Sequence, residues 1–91
     1  MLEQEQYVYL IRTVGEECTM THTEAFVDER LATEHFENNL KFYRKKDWSV
    51  NDERNYCVGS TVRRAEMVKK DRDGKYEHRT LILEAYEIIK K

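Results

Sequence analysis

The chain has 91 residues, of which 40% are apolar, 37% are charged and none is proline. That length is one domain, spanning 1–91, and ten aromatic residues with this apolar share exclude a disordered chain, a collagen and a disulfide-built scaffold. The formal charge of −2 suits neither a general nucleic-acid binder nor an acidic decoy.

The charge is unevenly placed. Residues 1–39 carry nine acids and two bases, whereas residues 40–91 carry nine acids and fourteen bases. Pairing of the two parts across the fold is expected to neutralise most of this difference; the sharper reading is a dipolar surface that steers a partner. Cys18 and Cys57 form no CxxC and no metal-type spacing. Met1 to Gln6 offers acids and glutamines where a signal peptide needs positive charge, and the run Tyr7–Ile11 is too short to cross a bilayer. The chain therefore reads as cytoplasmic, without membrane contact.

Residues 1–6 are expected to fray. Tyr7 to Thr13 is a run of β-branched and aromatic residues, apolar on both alternating faces, and predicts an interior strand ending at Gly15. Gly15-Glu16-Glu17 supplies a turn. Thr19 to Val27 predicts a second strand, antiparallel to the first.

Asp28 has the character of a helix N-cap, with Glu29 suited to the positive end of the dipole and Val27 placed to staple against Ala32. From Glu29 to about Lys45, Ala32, Phe36, Leu40 and Tyr43 recur at helical spacing and form one apolar stripe. Glu37 and Lys41 stand four apart in the favourable order. Arg44-Lys45-Lys46 closes the helix where the dipole is negative.

Asp47 to Asn55, with the single Trp48, reads as a connection. Tyr56 to Lys70 predicts a long strand, bulged at Gly59, and Tyr76 to Ile89 a last one. Between them Asp71 pairs with Lys75 around the loop Arg72-Asp73-Gly74. In that register Lys69 faces Glu77, Met67 faces Arg79, Ala65 faces Leu81 and Arg63 faces Leu83. The opposite face sets Val62, Arg64, Glu66 and Val68 against Glu84, Ile82, Thr80 and His78, and continues into Tyr86 and Ile88.

The expected fold is thus α+β: an antiparallel four-stranded sheet with one helix on one face, in the order ββαββ. One helix covers one face. Val62, Val68, Ile82, Tyr86 and Ile88, with one face of Tyr7–Ile11, then meet solvent, although burying such a side chain is worth about 1.5–3 kcal/mol each. A contiguous group of this kind marks an interface, so these five residues are the candidate partner surface. The competing reading folds the last strand or the Trp48 segment over them.

Other chemistry is thinly supplied. His22, His35 and His78 lie on three different elements, and Cys18 with His22 gives two ligands where zinc needs four. Cys57 beside a histidine and Asp52 or Glu53 can be drawn as a thiol nucleophile, but the residue reads better as a strand cysteine. GxGxxG, GxxxxGK[ST] and HExxH are absent from the sequence. No catalytic residue, cofactor, metal or small-molecule substrate is indicated, and a non-enzymatic module is expected. The alternative is a nucleic-acid accessory protein that uses Arg64, Lys69, Lys70, Arg72 and Lys75, with Tyr76 for stacking.

Tyr7-Val8-Tyr9-Leu10-Ile11, then Ala25-Phe26-Val27 leading into Glu29-Arg30-Leu31-Ala32 and Phe36, then Leu83-Glu84-Ala85-Tyr86-Glu87-Ile88, resembles small uncharacterised ββαββ proteins of phages and bacteria. Thr19-Met20-Thr21-His22-Thr23 stands where those proteins have a more apolar second strand. The resemblance implies the fold and a mobile-element origin, hence the host cytoplasm, and an action by binding a host or viral protein or a second copy, as a small inhibitor does. It carries over no functional residue.

Overall fold

A computed structural model describes residues 7–15, 20–54 and 57–88. The elements are β1 (Tyr7–Val14), β2 (Met20–Phe26), α1 (Glu29–Lys45), β3 (Ser49–Glu53), β4 (Thr61–Lys70) and β5 (Tyr76–Glu87). The strands form one antiparallel sheet in the order β2-β1-β5-β4-β3. The fold is α+β with one helix, but the sheet has five strands rather than four, and the order is ββαβββ. Segment 1–6, Glu16, Glu17, Cys18, Tyr56 and Ile89 lie outside the described residues.

β1 is an interior strand, paired to β2 on one side and β5 on the other, as its two-sided apolar pattern requires. β2 and β3 occupy opposite edges. The helix therefore carries the chain across the whole sheet. Its 17 residues reach about 25 Å, enough for a diagonal path over strands spread across about 19 Å.

Helix boundaries follow from local chemistry. Asp28 is extended at φ −119°, and its carboxylate accepts from the Arg30 N–H at 2.8 Å and the Leu31 N–H at 3.4 Å. Val27 makes no staple: it is 83% exposed, while Ala32 is fully buried. Glu37 does not stay with Lys41 either, since its carboxylate lies 3.3 Å from Arg63.

At the other end Asp47 adopts φ +66°. The Trp48 N–H donates to the Tyr43 carbonyl at 3.0 Å and the Asp47 N–H to the Arg44 carbonyl at 3.2 Å. This is a Schellman motif with aspartate at the left-handed position. Its usual apolar contact is present as an edge-to-face pair of Tyr43 and Trp48, 5.3 Å between ring centroids.

The stripe Ala32, Phe36, Leu40 and Tyr43 is buried, against Ile11, Ala65, Met67, Leu81, Leu83 and Trp48. Tyr9, Phe26 and Val50 pack around it. Trp48 belongs to this helix-side core and does not fold over the opposite face.

The segment read as a connection contains β3, which pairs with β4 through Ser49–Val68, Asn51–Glu66 and Glu53–Arg64. β4 begins at Thr61, later than expected. Before it, Val58 and Thr61 exchange backbone hydrogen bonds of 3.1 and 3.0 Å around Gly59-Ser60. Gly59, at φ +58°, supplies the turn and not a bulge. The bulge falls at Val62 instead: Thr61 stands opposite Glu84 and Arg63 opposite Leu83, leaving Val62 as the extra residue. From Arg63 to Lys70 the β4–β5 register is the expected one, closed by the Asp71 N–H donating to the Lys75 carbonyl at 2.7 Å.

One charged cluster seals the helix-side core near the β3 edge. Arg63 is 9% exposed and pairs twice with Asp52, Nε to Oδ1 at 3.2 Å and Nη2 to Oδ2 at 2.6 Å. Its Nη1 reaches Glu37 at 3.3 Å and its guanidinium lies 4.7 Å from the Phe36 centroid. The hydrogen bond from Arg63 holds the Asp52 carboxyl below its ordinary range, outweighing the opposing effect of burial.

A carboxyl lowered in the folded state stabilises above its unfolded pKa, about 3.9, and that contribution is lost as pH falls through the lower folded value. Asp52→Asn is expected to cost about 2–3 kcal/mol at neutral pH and to flatten the loss of stability below about pH 4; urea melts at both pH values check it. Asp47→Gly removes the side chain from a left-handed position and is expected to add about 0.5–1 kcal/mol, a rise in Tm of a few degrees by calorimetry.

Candidate protein interface

The sheet face opposite the helix is built from alternate residues of each strand. β1 contributes Val8, Leu10, Arg12 and Val14; β5 contributes Thr80, Ile82, Glu84 and Tyr86; β4 contributes Arg64, Glu66 and Val68; β3 contributes Asn51 and Glu53. Among the described residues no helix or strand lies over it. Val8, Leu10, Val14, Val68 and Ile82 are half-buried.

Of the five residues singled out from sequence, the register puts Val68, Ile82 and Tyr86 on this side, and the five do not form one patch. Ile82 sits in the middle, opposite Arg12 on β1 and Arg64 on β4. Val68 is four residues further along β4, opposite His78, with the Glu66–Thr80 pair between. Val62 is the bulged residue, 38% exposed. Tyr86, beside Val8, and Ile88, just past the end of β5, are each 39% exposed. The apolar groups diagonal to Ile82 on this face are Leu10 and Val14 of β1.

Between them runs a polar network. The Arg12 guanidinium pairs with Glu84, which is only 5% exposed. The Tyr86 hydroxyl donates to Glu84 Oε2 at 2.6 Å, and that bond to a carboxylate pushes the phenol pKa up. Arg64 lies 2.5 Å from Glu66 and 3.7 Å from Glu53. Each charge of the face is thus held by an opposite one beside it.

Arg12 and Glu84 escaped the sequence reading. A signal for them exists: each is the first charged residue after an apolar run, Tyr7–Ile11 and Leu81–Leu83, on strands that pair on both sides. A charge at such a position needs a partner on the neighbouring strand.

The residues of the alternative reading separate. Arg64 belongs to the open-face network. Lys69 is half-buried on the helix side, opposite Glu77. Lys70, Arg72 and Lys75 are exposed at the β4–β5 tip. His35 stacks on Phe26 at 4.7 Å with its Nδ1 3.9 Å from Glu24, His78 is exposed on β5, and Cys57 is an exposed free thiol. Among the described residues no three His, Cys, Asp or Glu side chains gather as a metal site, and no helix is long and apolar enough to cross a membrane.

Comparisons with family models, with curated proteins and with solved structures return no match, so the resemblance to ββαββ proteins of phages and bacteria rests on its sequence motifs alone.

Proposed function

We propose that this chain is a protein-interaction module that works as a homodimer, two copies meeting through the open faces of their sheets. The observation that carries the reading is the state of that face. Its charged groups are already paired within one molecule, Glu84 to the point of near-complete burial, while Val8, Leu10, Val14, Val68 and Ile82 remain half in water.

Covering a face costs most when it strands unpaired charges. Here the bases Arg12 and Arg64 are matched by the acids Glu84, Glu66 and Glu53, so a second layer leaves none unpaired. The nearly balanced charge also removes the repulsion that opposes contact with an identical copy. The size is adequate: five strands of about eight residues cover about 600 Å², close to the roughly 800 Å² per partner of an ordinary interface. A face shared by two copies is self-complementary about a two-fold axis. The host-protein partner implied by the phage resemblance draws on no comparable observation.

Light scattering and sedimentation are expected to give about 22 kDa, twice the 11.0 kDa of the chain, at concentrations above micromolar. Ile82→Glu places a carboxylate between Arg12 and Arg64, which the single molecule accommodates, but it opposes burial against a second sheet. The expected outcome is a monomer with an unchanged circular dichroism spectrum. A wild-type chain that stays monomeric at every concentration overturns the homodimer. A variant that unfolds instead shows Ile82 to be part of the core.

A further inference from the structure

The β4–β5 hairpin outruns the sheet. β1 ends against β5 at the Val14–Thr80 pair, and β3 begins against β4 at Ser49–Val68. Beyond those rows the ladder continues only between β4 and β5, through Lys69–Glu77 and Lys70–Tyr76. Among the described residues neither flank of this two-stranded ribbon is paired. Its tip is stiffened by Asp71, whose Oδ1 accepts from the Asp73 and Lys75 N–H groups at 2.9 Å each. That carboxylate is turned inward, and Glu77 is held by Arg79 at 2.9 Å. Lys70, Arg72 and Lys75 point to solvent with Asp73 as the one free acid at the tip, and Lys70 Nζ lies 5.9 Å from the exposed Tyr76 ring.

A second basic run arrives at the foot of the ribbon. The helix ends in Arg44-Lys45-Lys46, all exposed, and Trp48 follows directly. Arg79 of β5 lies 5.0 Å from the Trp48 ring and 3.4 Å from the Tyr43 hydroxyl. The helix C-terminus is therefore fixed against the ribbon base, though 22 residues lie between Lys46 and Lys69 in sequence. Residues 44–47 and 69–79 together hold eight bases and four acids, a local +4 in a chain whose total is −2. Asp28, Glu29 and Glu34 sit at the far end of the helix, about 20 Å away, twice the screening length of about 10 Å at 0.1 M salt.

We propose that this end of the molecule grips duplex DNA, with the ribbon entering the major groove and Lys45 and Lys46 on the flanking phosphates. A two-stranded ribbon fits a groove about 12 Å wide, whereas the deep, narrow major groove of duplex RNA excludes it. The site lies beyond the Val68–His78 row that ends the open face, and its test does not depend on oligomeric state.

The experiment is fluorescence anisotropy of the full chain with a labelled 20-base-pair DNA duplex across a salt series. Five phosphate contacts, from Lys45, Lys46, Lys70, Arg72 and Lys75, give a log–log slope of about −4.5, a loss of about 500-fold in affinity between 50 and 200 mM salt. The triple variant Lys70→Gln/Arg72→Gln/Lys75→Gln is expected to reduce the slope to about −1.8, and Lys45→Gln/Lys46→Gln to about −2.7. All five positions are exposed, and circular dichroism checks that the fold is kept. Absence of binding at 50 mM salt, slopes unchanged in both variants, or equal affinity for duplex RNA each overturns the proposal.

Discussion

A single helix has to join two strands at opposite edges of a five-stranded sheet, and most of the structure follows from that constraint. To reach from β2 to β3 the helix must lie across the sheet, so it spends its one apolar stripe on one face. The core is accordingly one-sided: Ile11, Ala65, Met67, Leu81 and Leu83 below, Ala32, Phe36, Leu40 and Tyr43 above. Among the described residues there is no second helix for the other side. The sharp exit at Asp47 belongs to the same constraint, because it swings Trp48 back under the last helical turn and delivers the chain into an edge strand.

Both faces carry charge, and each handles it by pairing. On the helix side Arg63 is clamped between Asp52, Glu37 and the Phe36 ring, which lets an arginine stand at the margin of the core. Arg79 does the same at the other margin, over Trp48 and beside Tyr43. On the open side Arg12, Glu84 and Tyr86 form a network of equal tightness with no layer above it among the described residues. Glu84 is 5% exposed there, held by Arg12 and by the Tyr86 hydroxyl. A face organised in this way is dry enough to be covered and polar enough to remain in water, which suits reversible association better than a permanent apolar seam.

The elements legible in the sequence are those specified by one local signal. The helix has a cap, a stripe and a basic last turn, and its span Glu29–Lys45 follows from them. The β4–β5 register follows from the Asp71–Gly74 loop, and it places Ala65 against Leu81 and Lys69 against Glu77. β3 was illegible because its side chains are those of a loop. Ser49, Asn51 and Glu53 face the open side, and of its two helix-facing residues one is Asp52, whose burial is tolerable only because Arg63 arrives from β4. A strand whose inward charge is neutralised by another strand has no signature of its own. The same holds for Val62, where the bulge is set by how β4 leaves the Val58–Thr61 turn and not by any residue in it. Strand alternation in the sequence puts Ile82, Val68 and Tyr86 on one face, and the register agrees; the arginines and glutamates between them depend on cross-strand neighbours. The uneven charge resolves only in part into cross-fold pairing. Arg63–Glu37 and Arg12–Glu84 join the two parts of the chain, whereas Arg54–Asp52, Arg63–Asp52, Arg64–Glu53, Arg64–Glu66 and Arg79–Glu77 stay within the second.

The separation of the open face from the ribbon limits how two copies can meet if both surfaces are used at once. Sheets stacked face to face lie about 10 Å apart. With the two-fold axis parallel to the strands, both ribbons leave the dimer at the same end and stand side by side, each beside its own helix C-terminus. With the axis perpendicular to the strands, the ribbons point in opposite directions and only one can engage a given stretch of duplex. In the parallel arrangement the β2 edge of one copy lies over the β3 edge of the other, so β3, the shortest strand and the most polar edge, faces β2 instead of another β3. The three polar residues that β3 turns to the open face, Ser49, Asn51 and Glu53, stacked on their own copies would bring Glu53 toward a second Glu53; the crossed pairing avoids that contact. Charge at the sheet edges and reach at the ribbon therefore select the same axis.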